Sequence, residues 1–192
     1  MRVNRNSSRT AKAGAMAATM LIVLCVAQAG QLSTQSRIEN FGCINPRLYR
    51  GAQPRPSDYA DLAKIGVKTV IDLQRDGERS EQQLVESAGM KFHRIGLKDN
   101  AWPTREQAQA FLKIVDDPEN QPVFIHCHGG RHRAGAMTAI YRITHDGWDA
   151  DRAYAEMEQY GFEKGIGHGT LKDFVYDYYS QRRQSEVVVI TK

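Results

Sequence analysis

Residues 122–145, PVFIHCHGGRHRAGAMTAIYRITH, carry a strand directly into a helix, and no other segment restricts the fold as strongly. Val123 to Cys127 is an apolar run of strand length. His128-Gly129-Gly130 reads as a turn. From Arg133 to about His145, alanine, methionine, isoleucine and tyrosine recur at helical spacing. A strand that is apolar on both faces has to be covered on both, which places it inside a sheet flanked by helices.

The rest of the chain repeats that alternation. RLYRG (47–51) reads as a short edge strand ended by Gly51. RPSDYADLAKIG reads as a helix with Ser57 at the N-cap, Leu62 and Ile65 on one face and Gly66 at C′. VKTVIDL (67–73) is a second strand, Glu78 to Ala88 a polar helix ended by Gly89, and MKFHRIGL a third strand with alternating polarity. TREQAQAFLKIVDD opens with a Thr104-x-x-Gln107 capping box and sets Ala108, Phe111, Leu112 and Val115 on one face. A further helix starts at Asp149, and GTLKDFVYDYYSQRR supplies the last. Trp148, Phe162, Phe174 and Tyr178 read as core, and His168 as a residue at a helix start. The expected fold is α/β: one domain with a central, largely parallel sheet, right-handed crossovers and helices on both faces.

The formal charge of +4 suggests a polyanionic partner, but its distribution argues against one. Arg2, Arg5, Arg9 and Lys12 are the charges before Arg37, and without them 22 of the 26 basic residues face 22 acidic ones. The body is electroneutral, so non-specific nucleic-acid binding is excluded. The basic tip, the charge-free stretch AGAMAATMLIVLCVAQA (13–29) and Ala27-Gln28-Ala29 read as a signal peptide or a membrane anchor. Residues 1–36 are thus assigned to export and 37–192 to the functional domain, with 30–45 as a polar linker. The domain is expected to be periplasmic, or held at the inner membrane and facing away from the cytoplasm. An oxidising compartment permits a Cys43–Cys127 bridge, although two free thiols are the simpler expectation.

Cys127 ends the buried strand, where ligands of parallel sheets bind. The turn amides and the helix N-terminus form an anion cradle, and Gly129 and Gly130 permit positive φ and close backbone approach. These donors favour the thiolate, lowering the Cys127 pKa below the free value of about 8.5. Arg133, six residues on, can grip two oxygens of a phosphoryl group. The arrangement suits attack of sulfur on phosphorus through a cysteinyl-phosphate intermediate.

His126-Cys127-His128-Gly129-Gly130-Arg131-His132-Arg133-Ala134-Gly135 resembles the H-C-x-x-G-x-x-R-[ST]-G signature of the cysteine-based tyrosine and dual-specificity phosphatases. LYRGAQP and YGFEKGIGHGTLKDF resemble small bacterial members of the atypical dual-specificity branch, and the likeness covers about residues 45–180. It implies a phosphatase without metal or other cofactor. Cys127 would be the nucleophile, and the remaining residues of 126–135 with Arg133 would bind the phosphate. Ala134 departs from the signature, whose Ser or Thr hydroxyl assists release of the sulfur, and slower breakdown of the intermediate follows. The general acid is expected upstream, and Asp99 in LKDNAWPT is the preferred candidate, ahead of Glu106 and Asp72; a simple turn pair with Asn100 is the bland alternative.

The three histidines beside Cys127 match no familiar zinc spacing, and Arg131 and Arg133 would repel a cation. His126 is expected to be buried and bonded to the loop. If His128, Arg131 and His132 raise the potential at the pocket mouth, the substrate carries several phosphates, as an inositol phosphate or phosphoinositide does, rather than one phosphotyrosine. A rhodanese-like sulfurtransferase and a non-catalytic phosphate-binding module are the alternative readings.

Overall fold

A computed structural model describes residues 38–99, 101–163 and 169–190. The segment 13–29 and His168 lie outside the described residues. The chain runs β1 (Gly42–Asn45), β2 (Leu48–Ala52), α1 (Asp58–Lys64), β3 (Thr69–Gln74), α2 (Glu81–Ser87) and β4 (Lys91–Leu97). It continues through α3 (Arg105–Asp116), a 3-10 turn (Pro118–Asn120), β5 (Val123–Cys127), α4 (Arg133–His145), α5 (Ala150–Gln159) and α6 (Gly169–Ile190). The sheet order is β1-β2-β5-β3-β4, with β1 antiparallel to β2 and every other pairing parallel.

β5 lies at the centre with all five residues buried, its apolar residues on both faces covered and His126 buried with them. On one face Ile71, Leu73, Ile125 and Leu97 pack against Phe111 of α3, Met137 and Ile140 of α4, Met157 of α5 and Phe174 of α6. On the other, Val70 and Phe124 pack against Tyr59 and Leu62 of α1 and Val85 of α2. Helices therefore cover both faces. Among the described residues no helix is long and apolar enough to cross a membrane.

Several local expectations need correction. RLYRG is not an edge strand, because residues 42–45, read as linker, form β1 and pair outside it. Ser57 stands at the N-cap of α1 without a side-chain cap bond, and Asp58 Oδ2 instead accepts the Arg55 N–H at 2.8 Å. Trp148 and Tyr178 are half-buried at the margin of the core, Trp148 between the guanidinium groups of Arg142 and Arg152. Cys43 is disulfide-bonded while Cys127 is a free thiol, so the two are not joined.

The capping box of α3 forms in both directions. Thr104 Oγ1 accepts the Gln107 N–H at 3.2 Å, and Gln107 Oε1 accepts the Thr104 N–H at 2.8 Å. The same Gln107 donates from Nε2 to the Gly96 carbonyl at 2.9 Å, tying the start of α3 to the end of β4. A cap of this kind contributes about 1 kcal/mol. Here it also fixes both ends of the connection that carries Asp99.

Candidate active site

The turn after β5 is held from outside by the N-terminal part of the domain. Gln53 N–H donates to the His128 carbonyl at 3.1 Å, Asn40 Nδ2 to the Gly129 carbonyl at 2.7 Å, and Arg50 Nη2 to the Gly130 carbonyl. With three successive carbonyls engaged on the outside, the turn's amides are left for the concavity. Gly130 has φ +66, and a Cβ there would lie 2.5 Å from the Gly51 carbonyl carbon and 2.6 Å from the Ala52 nitrogen. Only glycine fits that approach. Gly129 does not share the positive φ expected of both glycines, because the chain reverses at Gly130 alone.

Cys127 is 3% exposed at the C-terminal end of β5. Arg133, the first residue of α4, folds back so that Nη2 lies 2.8 Å from Asp99 Oδ1, while Nη1 reaches the Leu97 carbonyl at 3.5 Å. Asp99 itself is 72% exposed. Cys127, His128, Arg131, His132, Arg133 and Asp99 border one cleft of about 510 Å³. A second cleft of about 310 Å³ shares His128, Arg133 and Asp99 and adds Arg75 and Lys98. Glu106 borders neither, and Asp72 is fully buried in an ion pair with Arg94 at 2.8 Å. Ala134 and Gly135 are buried in the first turn of α4, with Met157 packed beside Gly135.

Beneath the turn lies a buried charge network that the sequence reading missed. His126 faces Glu81 of α2 rather than the loop, because side chains alternate along β5 and that of residue 126 points to the side opposite Cys127. Its Nε2 is 2.8 Å from Glu81 Oε1. Tyr59 donates to the same oxygen at 2.7 Å and Gln53 at 3.0 Å. Burial pushes the Glu81 carboxyl up, but His126, Tyr59 and Gln53 together outweigh it and hold the group below its ordinary range. Burial and the neighbouring Glu81 push the Tyr59 phenol up. Asp72, Glu81 and His126 stand close enough to share a cation, and the guanidinium of Arg94 already supplies one, 2.8 Å from Asp72 and 3.6 Å from Glu81.

Asn40, Arg50, Gln53 and Glu81 were not singled out from the sequence. Arg50 had a visible signal, a charge in the middle of a strand otherwise apolar. The other three are ordinary polar residues in a linker, a turn and a polar helix.

A free cysteine at the end of a central parallel strand, an amide turn and an arginine at the start of the next helix together define the cysteine-based phosphatase class. The family model described as PTP-NADK, DSP-PTPase phosphatase fused to NAD+ kinase, matches residues 26–171, and the chain belongs to that family. The dual specificity protein phosphatase TpbA of Pseudomonas aeruginosa is 32% identical over 126 residues, covering 64% of this chain and 55% of that protein. The probable tyrosine-protein phosphatase DG1060 of Dictyostelium discoideum is 30% identical over 130 residues, covering 65% and 78%. The match thus spans about half of TpbA. The core catalytic domain of the PP-IP phosphatase SIW14 from Saccharomyces cerevisiae, solved with citrate, shares the fold. It has a TM-score of 0.67 at 22% identity, covering 80% of this chain and 94% of that one. TpbA has been solved in complex with phosphotyrosine as a Cys→Ser variant, with a TM-score of 0.61 at 26% identity over 71% of this chain and 82% of that one.

Proposed function

We propose that residues 37–192 form a cysteine-dependent phosphatase that hydrolyses phosphate monoesters. The observation that carries this reading is the convergence of Cys127, Arg133 and Asp99 on one cleft at the carboxyl end of the sheet. Asp99 and Arg133 form an ion pair across the cleft. A substrate phosphate competes for the guanidinium fork and releases the exposed Asp99 carboxylate, which takes up a proton from solvent and turns toward the leaving oxygen. Cys127 Sγ attacks phosphorus while Asp99, as the acid, protonates the departing alkoxide or phenoxide. The turn amides and Arg133 stabilise the charge on the three equatorial oxygens. Asp99, now ionised, takes a proton from the water that cleaves the S–P bond and frees phosphate and the thiolate.

The chemistry at the mouth supports a substrate carrying more than one phosphate. Arg131, His128 and His132 border the Cys127 cleft and Lys98 the adjoining one. This agrees with SIW14 of Saccharomyces cerevisiae, an inositol diphosphatase 26% identical over 132 residues, while the TpbA complex supports phosphotyrosine. The charge-free segment behind a basic tip supports export, with the domain outside the cytoplasm.

Turnover of p-nitrophenyl phosphate tests the reading. Activity should be blocked by vanadate, lost in Cys127→Ser and retained in chelator. Sulfur transfer from thiosulfate to cyanide, or phosphate binding without turnover, would replace it. Parallel turnover of a phosphotyrosyl peptide and of inositol phosphates ranks the substrates, and fractionation of the full chain tests export.

A further inference from the structure

Arg50 is fully buried in β2. It pairs with Ile125 of β5, and Ala52, two residues on, pairs with Cys127. Residues two apart on a strand share a face, so Arg50 lies on the sulfur's side of the sheet, one step down the strand. Its guanidinium ends beneath the turn, donates to the Gly130 carbonyl and stacks on the Tyr160 ring, 4.1 Å from the centroid. Gly42 leaves room for that ring, since a Cβ there would strike the Tyr160 phenol.

Among the described residues Arg50 forms no ion pair, and its Nε and Nη1 make no hydrogen bond. Glu156, the carboxylate whose field reaches it, is gripped by Arg142 at 2.6 Å. A buried cation without a carboxylate is costly. The other groups around the sulfur are Arg133 of α4, His128, Arg131 and His132 of the turn, Glu39 before β1, Asp99 of the β4–α3 connection, and Tyr160 behind Arg50, with His126 on the opposite face of β5. Arg133 is neutralised by Asp99 at 2.8 Å. Arg131 is exposed at the mouth of the cleft, where water screens it, so the buried permanent charge near Cys127 without a carboxylate of its own is that of Arg50. Burial pulls its pKa down to about 10, against the opposing pull of Tyr160, Cys127 and Glu156, so it stays cationic throughout the neutral range.

We propose that Arg50 is a positioning residue with two tasks: it holds the Gly130 carbonyl out of the phosphate cradle, and it supplies from beneath the counter-charge that keeps the Cys127 sulfur ionised. The proposal rests on Cys127 being the nucleophile. Both tasks are separable from binding of the substrate at the mouth of the cleft.

Alkylation by iodoacetamide between pH 5 and 8.5, read at the Cys127 peptide by mass spectrometry, tests it in the full chain. Arg50→Gln keeps an N–H for the turn and removes the charge, whereas Arg50→Lys keeps the charge. The parent should alkylate readily at pH 6. Arg50→Gln should do so about tenfold more slowly, with a matching loss in kcat, and Arg50→Lys should stay within about threefold of the parent. A folded Arg50→Gln protein with the parental profile overturns the proposal and leaves the phosphatase reading intact. Should the Gln variant not fold, the Lys variant decides. Retained reactivity at pH 6 supports the charge, and its loss overturns it. A parent that alkylates only above pH 8 overturns the reading of Cys127 and the proposal with it.

Discussion

Replacing Gly130 with alanine places a methyl group 2.5, 2.6 and 2.7 Å from three backbone atoms of Gly51 and Ala52. Those atoms belong to β2, which is clamped between β1 and β5 and cannot retreat without breaking sheet pairing. The position also has φ +66, which costs a non-glycine residue about 1 kcal/mol. Overpacking adds about 2 kcal/mol, for a combined loss of about 3 kcal/mol. In a chain of this size that lowers Tm by about 6–12 °C. The turn must shift to relieve the contact, and a displacement of even about 1 Å at a phosphate cradle reduces kcat/KM roughly 100-fold. Gly129→Ala is the internal control. Its Cβ would meet nothing closer than the Arg131 side chain at 3.9 Å, and its φ is not positive. That variant should change stability by less than about 0.5 kcal/mol. Thermal melts and p-nitrophenyl phosphate kinetics on the pair give the answer. Equal melting temperatures and equal rates for the two variants would refute the assignment of the turn's shape to contact with β2.

Asp99→Asn should slow hydrolysis of alkyl phosphates about 100-fold, and of p-nitrophenyl phosphate, whose leaving group departs without a proton, far less; equal rates on both substrates would discard Asp99. Ala134→Ser restores the hydroxyl of the family signature and should raise kcat up to about tenfold, with a smaller pre-steady-state burst if release of the sulfur is limiting. Glu81 is held ionised below the ordinary carboxylate range, so its stabilisation is complete above about pH 4.3 and is lost as pH falls through the lower folded value. Glu81→Gln should therefore cost about 2 kcal/mol at pH 7, and its Tm deficit should narrow as pH falls below about 4.3. Melts at pH 7 and pH 3.5 measure the difference.

Elements with strong local signals were readable in advance. The Thr104-x-x-Gln107 box forms as expected, because both partners lie within four residues and compete with nothing distant. β5, the turn and α4 were equally plain, and the cradle is contiguous in sequence. β1 was hidden because four residues with mixed polarity carry no period, and they become a strand only when β2 offers its free edge. The mistaken edge assignment of β2 follows from that omission. For His126 the sequence shows only neighbours along the chain, which point to the loop, whereas its partner Glu81 lies in α2, against the opposite face of the sheet from Cys127.

The order of residues 123–135 alone determined that a cysteine, a glycine turn and an arginine would gather at the end of a buried strand, since strand alternation and helix initiation act over a few residues. What tertiary structure alone decided is how that turn is aimed. Its carbonyls are held by Asn40 and Arg50, 89 and 80 residues away, and Asp99 meets Arg133 across the end of the sheet. Such partners are chosen by strand order and register, which depend on closing the whole core and leave no periodic mark in the chain.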